Sequence, residues 1–258
     1  RYEIGSVWRA DRPQRGRLRE FTQCDADIIG DDSLWSEVDL IKLINVIFDD
    51  LGVENRVIKI NNRKILEGIW EKAQNNSPNS FERFCVLIDK KDKIGIDKVC
   101  ELLLEEGYGL DFILILKKLF SFNSDKTYLG PNNFRFKKEY LLKQIKSPGK
   151  SLLEGLDELS FLFDKITPES ILWNSFDMFL ARGLDYYTGV IFEVVSLNDS
   201  NSLAGGGRYD NLTDRYGLNG VSGIGVSFGL DRLYLQMETL NLFKDINNNG
   251  LDFLFINF

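Results

Sequence analysis

Alternation and helical periodicity divide the chain into three stretches. "RYEIGSVWR" and "RLREFTQCDADII" read as two strands, with Pro13 and Gly16 of "ADRPQRG" forming the turn, so residues 1–29 predict a hairpin. Leu40, Ile44, Ile47 and Leu51 then recur at helical spacing. Ser36 with Asp39 three residues on predicts a capping-box start, and Gly52 the stop. "RVIKI" (56–60) predicts a strand and "NRKILEGIWEKA" a helix. "QNNSPNS" (74–80) is a linker. The pattern is mostly helical from about 81 to 146, with Asn/Ser/Lys-rich breaks at 121–134, up to "KSPGKS" (146–151). "LLEGLDELSFLFDKI" (152–166) is an amphipathic helix. The last third carries strand signals: "VIFEVV", then "LAGGGRYDNL", then the glycine-rich "GVSGIGVSFGLDRLYLQM" running into a helix. "LDFLFINF" (251–258) begins a further strand. No internal repeat is present.

Period two assigns faces. In the second strand Arg19, Phe21, Gln23, Asp25 and Asp27 point one way, and Thr22, Cys24, Ala26 and Ile28 the other. An arginine, an aromatic, an amide and two carboxylates make a poor core face. They suit a ligand with a flat ring, a cationic amine and phosphates, or else form a polar face with incidental ion pairs. Val7, Arg9 and Asp11 share a face of the partner strand, so Arg9 can join the group. In "ARGLDYYTGVIFE" (181–193), Arg182 stands at the entrance of a buried-strand signature. It is either a structural partner of Asp185 or Asp177, or an anion binder. Tyr186 and Tyr187 read as core or rim aromatics with bonded hydroxyls. "AGGGRYD" (204–210) permits close backbone approach to a ligand. "GIGVSFG" has GxGxxxG spacing, and the βαβ context of a dinucleotide fingerprint is not supported.

Composition narrows the chemistry. The 258 residues include no histidine, which excludes histidine triads, histidine metal sites and histidine proton relays. Catalysis must come from arginine, carboxylates, tyrosine, backbone and metal. Net charge is −7, yet Arg1, Arg9, Arg12, Arg15, Arg17 and Arg19 all fall within the first nineteen residues. Cys24, Cys85 and Cys100 are odd in number and far apart, which argues against a disulfide framework and fits reduced thiols in the cytosol. No apolar run is long enough for a membrane span. Residue 1 is Arg1 rather than Met, so targeting is not readable.

Together these segments resemble the catalytic domain of histidyl-tRNA synthetases, class II aminoacyl-tRNA synthetases. "YEIGSVWRADRPQRGRLREFTQCDADIIG" resembles motif 2. "ARGLDYYTGVIFE" and "AGGGRYDNL" resemble the two histidine signatures, and "GIGVSFGLDRL" resembles motif 3. "REFTQCDADIIG" and "INNRKILEGIW" are more similar to eukaryotic cytosolic members than to bacterial ones, as is aspartate at position 27. The resemblance implies an α+β fold, with an antiparallel sheet flanked by helices. It implies a catalytic core in two parts, 1–78 and 151–248, split by a helical insertion domain at 79–150 that leans on the tRNA acceptor stem. Residues 249–258 would open a C-terminal anticodon-binding domain. Motif 1 and its upstream Thr/Glu loop are not among the 258 residues.

The resemblance also implies roles. Arg9 would hold the ATP α-phosphate and Arg17 the terminal phosphates. Asp11 would lie near the adenine edge, with Phe21 and Arg232 on the two faces of the ring. Gln23 would hold the amino group of L-histidine, Asp27 and Tyr187 would read its imidazole, and Tyr186 would lie beside them. Arg182 would serve the reacting α-phosphate, both as a catalytic group and in the histidine pocket. ATP with Mg2+, L-histidine and tRNA(His) are the implied ligands, and a cytoplasmic homodimer the implied form. The alternative is a non-charging relative, a regulatory or sensor domain. Such domains tend to lose the arginine and ATP-contact set, whereas Arg9, Arg17, Arg182 and Arg232 are all present.

Overall fold

The computed structural model describes residues 1–10, 12–13, 18–73, 80–124, 132–166, 174–182, 186–198 and 201–243. Asp11, Arg17, most of the 74–80 linker and "LDFLFINF" lie outside the described residues. Strands β1 (Tyr2–Trp8) and β2 (Glu20–Ile29) are followed by helix α1 (Trp35–Asp50), strand β3 (Arg56–Asn62) and helix α2 (Arg63–Trp70). A helical block comes next: α3 (Phe81–Ile88), α4 (Lys91–Ile94), α5 (Ile96–Glu105), α6 (Leu110–Ser124) and α7 (Asn133–Gln144). The chain then runs through α8 (Lys150–Lys165), β4 (Asn174–Phe176), β5 (Val190–Ser196), β6 (Ser202–Arg208), β7 (Gly223–Gly229) and α9 (Leu230–Thr239).

The strands form one seven-stranded sheet in the order β1-β2-β7-β6-β5-β3-β4. All neighbours are antiparallel except β3 and β4, which run parallel. That edge pair is the exception in an otherwise antiparallel sheet. The helical block and α8 separate the two strands in sequence, which supplies the long crossover that a parallel pair requires. The α+β architecture otherwise stands.

The alternation in β2 works as its sequence predicts. Cys24, Ala26 and Ile28 pack on the hydrophobic core together with Ile224, Val226 and Phe228 of β7. Phe192, Val194, Ile58 and Ile60 continue the same layer, with α1 and α8 packed beyond it. Each fully buried side chain of this kind contributes about 1.5–3 kcal/mol over an exposed one. β5 is buried along its whole length, which explains why its sequence reads as an unbroken apolar run around one glutamate.

The start of α1 differs from expectation. The helix begins at Trp35, so Ser36 lies inside the first turn and cannot cap it. Ser36 Oγ instead donates to Asp31 Oδ2 at 2.5 Å, and Asp31 Oδ1 accepts from Ser33 N at 3.0 Å. Asp31 therefore organises the approach to the helix. The far end behaves as predicted: Gly52 follows the last turn with φ +70°, a conformation that favours glycine.

The helical block is fastened to edge strand β4 by side chains that bond its backbone. Asn133 Oδ1 accepts from Phe176 N at 2.7 Å, and Lys137 Nζ donates to Phe176 O at 2.7 Å. Asn123 Oδ1 accepts from Met178 N at 3.1 Å. These contacts satisfy an edge that would otherwise present open backbone groups.

Candidate active site

On the face of the sheet opposite the core lies a cleft of about 630 Å³. Its wall includes Arg9, Phe21, Gln23, Arg182, Tyr186, Tyr187 and Arg232. Seven of the ten residues singled out in the sequence thus meet in one space, drawn from both ends of the chain. The pairings β1–β2, β2–β7 and β7–β6 bring them together, because β7 inserts between strands that are far apart in sequence. The "GIGVSFGLDRL" stretch is β7 entering α9, and β7 is antiparallel to both neighbours. No βαβ crossover forms there, so the dinucleotide-fingerprint reading fails on topology.

The cationic groups are individually anchored. The Arg9 guanidinium lies 3.9 Å from the centroid of the Phe21 ring, covering one of its faces. Arg232 Nη1 donates to Ser202 O at 2.9 Å, and its neighbour Asp231 accepts from Thr22 N at 3.1 Å. The start of α9 is thereby tied to β2. Arg182 is not paired with Asp177: its Nη2 lies 2.6 Å from Glu193 Oε1 in β5. Asp177 has other partners, accepting from Asn123 Nδ2 at 2.8 Å and lying 3.8 Å from Lys59 Nζ. Burial works against the Asp177 charge, but Lys91, Lys59 and Lys137 outweigh it and hold the carboxyl below its ordinary range. Asp185 lies outside the described residues.

Gln23 Nε2 donates to Asp25 Oδ1 at 3.1 Å, so the two polar side chains of β2 order each other. Asp27 does not line the cleft wall; its carboxylate accepts a hydrogen bond from the Tyr209 hydroxyl. The absent side chain of Gly225 makes this possible, because a Cβ there would stand 2.0 Å from Asp27 Oδ1. Tyr209, in the "GGGRYD" stretch, is a site neighbour that the sequence patterns above do not assign. The signal was present: next to the inward Arg208, alternation turns Tyr209 to the opposite face. Burial, then the bond and charge of Asp27, raise the Tyr209 pKa, so the phenol stays protonated. Burial, then Tyr186, does the same for Tyr187. Asp89 and Lys93 of the helical block also reach the cleft, two residues no local pattern marks.

Chemically, three guanidinium groups around one cleft provide fixed positive charge for a polyanion. The Gln23 amide and the Tyr187 phenol on the wall provide directional partners for amine and ring N–H groups, while the Tyr209–Asp27 pair stands behind the wall. No cluster of three or more His, Cys, Asp or Glu residues that could hold a metal occurs among the described residues. No described helix is long and apolar enough to cross a membrane.

Residues 2–233 match the family described as histidyl-tRNA synthetase. The histidine–tRNA ligase of Porphyromonas gingivalis is 44% identical over 262 residues, covering all of this chain and 55% of that protein. The ligase of Christiangramia forsetii is also 44% identical, with the same coverage. The chain thus spans about half the length of the curated relatives it matches. The crystal structure of histidyl-tRNA synthetase from Nostoc sp. PCC 7120 superposes with a TM-score of 0.74 at 26% identity, over 94% of this chain and 55% of that one. An ATP phosphoribosyltransferase regulatory subunit/histidyl-tRNA synthetase from Bacillus halodurans C shares the fold, at TM-score 0.73 and 20% identity. These relatives overturn the expected eukaryotic cytosolic affinity. Bacterial proteins match along the whole chain, and that outweighs a few motif residues, Asp27 among them. The match to the family over nearly the whole length, on a sheet that gathers its motif residues into one cleft, establishes that the chain belongs to the histidyl-tRNA synthetase family.

Proposed function

We propose that the protein carrying this chain ligates L-histidine to tRNA(His) in two steps, through a histidyl-adenylate. The observation that carries this reading is the convergence of Arg9, Arg182 and Arg232 with Phe21, Gln23 and Tyr187 on one cleft. In the first step the histidine carboxylate attacks the ATP α-phosphorus and pyrophosphate leaves. The nucleophile is already anionic at pH 7, so no protein base is required, and a chain without histidine is no handicap. The work is positioning and charge stabilisation. Arg182 and Arg9 serve the α-phosphate and Arg17 the outer phosphates, while Phe21 and Arg232 enclose the adenine and Asp11 meets its edge. Magnesium would come as part of the nucleotide substrate and would offset phosphate charge beside these arginines.

Gln23 takes the substrate amino group. Tyr187 and Asp27 read the imidazole beside Tyr186, with Tyr209 fixing the Asp27 carboxylate by its hydrogen bond. In the second step the 3′-terminal ribose hydroxyl of tRNA attacks the adenylate carbonyl and AMP leaves. The helical block at 79–150 acts as an insertion domain on the acceptor stem, and the intact protein works as a cytoplasmic homodimer. The test is ATP–pyrophosphate exchange by the intact protein with each amino acid in turn. Exchange that depends on histidine alone is expected. ATP and histidine binding without exchange would contradict the reading and favour a non-charging domain.

A further inference from the structure

Glu193 is the only charged residue in the apolar run of β5, and its side chain is 10% exposed. A carboxylate in that setting is costly unless it is paired. Its partner is Arg182 at 2.6 Å. The cross-strand neighbours of Glu193 are Lys59 in β3 and Gly205 in β6. A Cβ on Gly205 would stand 3.4 Å from Arg182 Nη1, so the guanidinium lies directly over that glycine, on the cleft face of the sheet. Lys59 is turned toward Asp177 at 3.8 Å and Asp92 at 4.0 Å. Asp177 is fixed in turn by Asn123 and by Phe179 N at 3.0 Å. Lys59 lies nearest Asp177 and Asp92, Lys91 adds a positive charge felt by both Asp177 and Glu193, and the ion pair that Glu193 makes at bonding distance is with Arg182.

We propose that Glu193 is the positioning residue that aims Arg182 at the reacting phosphate; this rests on the functional reading above. The pairing holds one edge of the planar fork, at Nη2, against β5. The side chain remains 41% exposed, so the other donors are presented to the cleft. A long arginine side chain without that anchor spreads over many rotamers, and a misplacement of the order of 1 Å is enough to cost a catalytic group up to about 10²-fold.

The test is a double-mutant cycle on histidine-dependent pyrophosphate exchange in the intact protein. If the wild type shows no exchange, the functional reading itself fails, independently of Glu193. Given an active wild type, Glu193→Gln should lower kcat by on the order of 10-fold or more, with KM for histidine within about twofold. In an Arg182→Ala background the same change should have no further effect, because Glu193 acts through Arg182. A loss of equal size in both backgrounds, or no loss in the first, overturns the proposal. If Glu193→Gln does not fold, Glu193→Asp enters the same cycle with the same two criteria.

Discussion

Two arginine–glutamate pairs share this sheet, and they are built for different ends. Arg208, at the end of β6, is 7% exposed and faces Glu37 of α1, which is 1% exposed. Every donor of its guanidinium is used. Nε and Nη2 reach the two Glu37 oxygens at 2.6 and 2.5 Å, Nη1 reaches Asp31 O and Ser222 Oγ, and Nη2 also reaches Ser33 O. Arg182 has a similarly close carboxylate, but its side chain is 41% exposed and borders the cleft. The first pair ties the loop before α1 to the sheet. The second holds one edge of a cation and offers the rest. Both look alike as residue types, and only the count of satisfied donors together with exposure separates a tie from a binding group.

The comparison can be broken at its buried pole first. Arg208→Ala leaves Glu37 buried without its partner and should destabilise the fold by about 3–5 kcal/mol, measured by denaturant unfolding. A loss under about 1 kcal/mol would place Arg208 with ordinary surface pairs.

A smaller effect sharpens the contrast between cations. Lys137 is also buried, but its described bond is to a backbone carbonyl, and burial brings its pKa down from 10.5 to about 8. Unlike arginine, lysine can shed its proton in such a place. Its folded-state pKa is below the unfolded one, so between pH 8 and 10.5 the unfolded chain binds more protons and stability rises with pH. Relative to Lys137→Met, the wild type should gain on the order of 1–3 kcal/mol across that window, read from unfolding curves at a series of pH values. A constant difference would mean that Lys137 titrates normally.

Much of this was legible in the sequence, because strand alternation is local. Period two put Phe21, Gln23 and Asp27 on one face before any tertiary information, and the apolar run announced β5 as a buried strand. What was not legible depends on register between distant strands. The bond from Tyr209 to Asp27 spans 182 residues, and it requires β7 to stand between β2 and β6 with glycine at 225. For the structural alternative at Arg182 the local pattern offers nearby aspartates, and the Glu193 that the sheet places beside it is eleven residues away in sequence. Backbone carbonyls that anchor Arg208 and Arg232 leave no trace in residue identity at all. The start of α1 departs from the capping-box expectation because Asp31, outside the expected capping pair, bonds Ser36.

The central claim is that Arg182 acts on the reacting phosphate and is not merely a structural cation. Rapid-quench measurement of a single turnover of histidyl-adenylate formation, with wild type and Arg182→Ala in the intact protein, tests it most directly. The account predicts a rate lower by on the order of 10²-fold, with histidine affinity changed by no more than a few-fold, measured below the melting temperature of the variant, which the unpaired Glu193 lowers. Adenylate formation at the wild-type rate in a folded Arg182→Ala protein would contradict it.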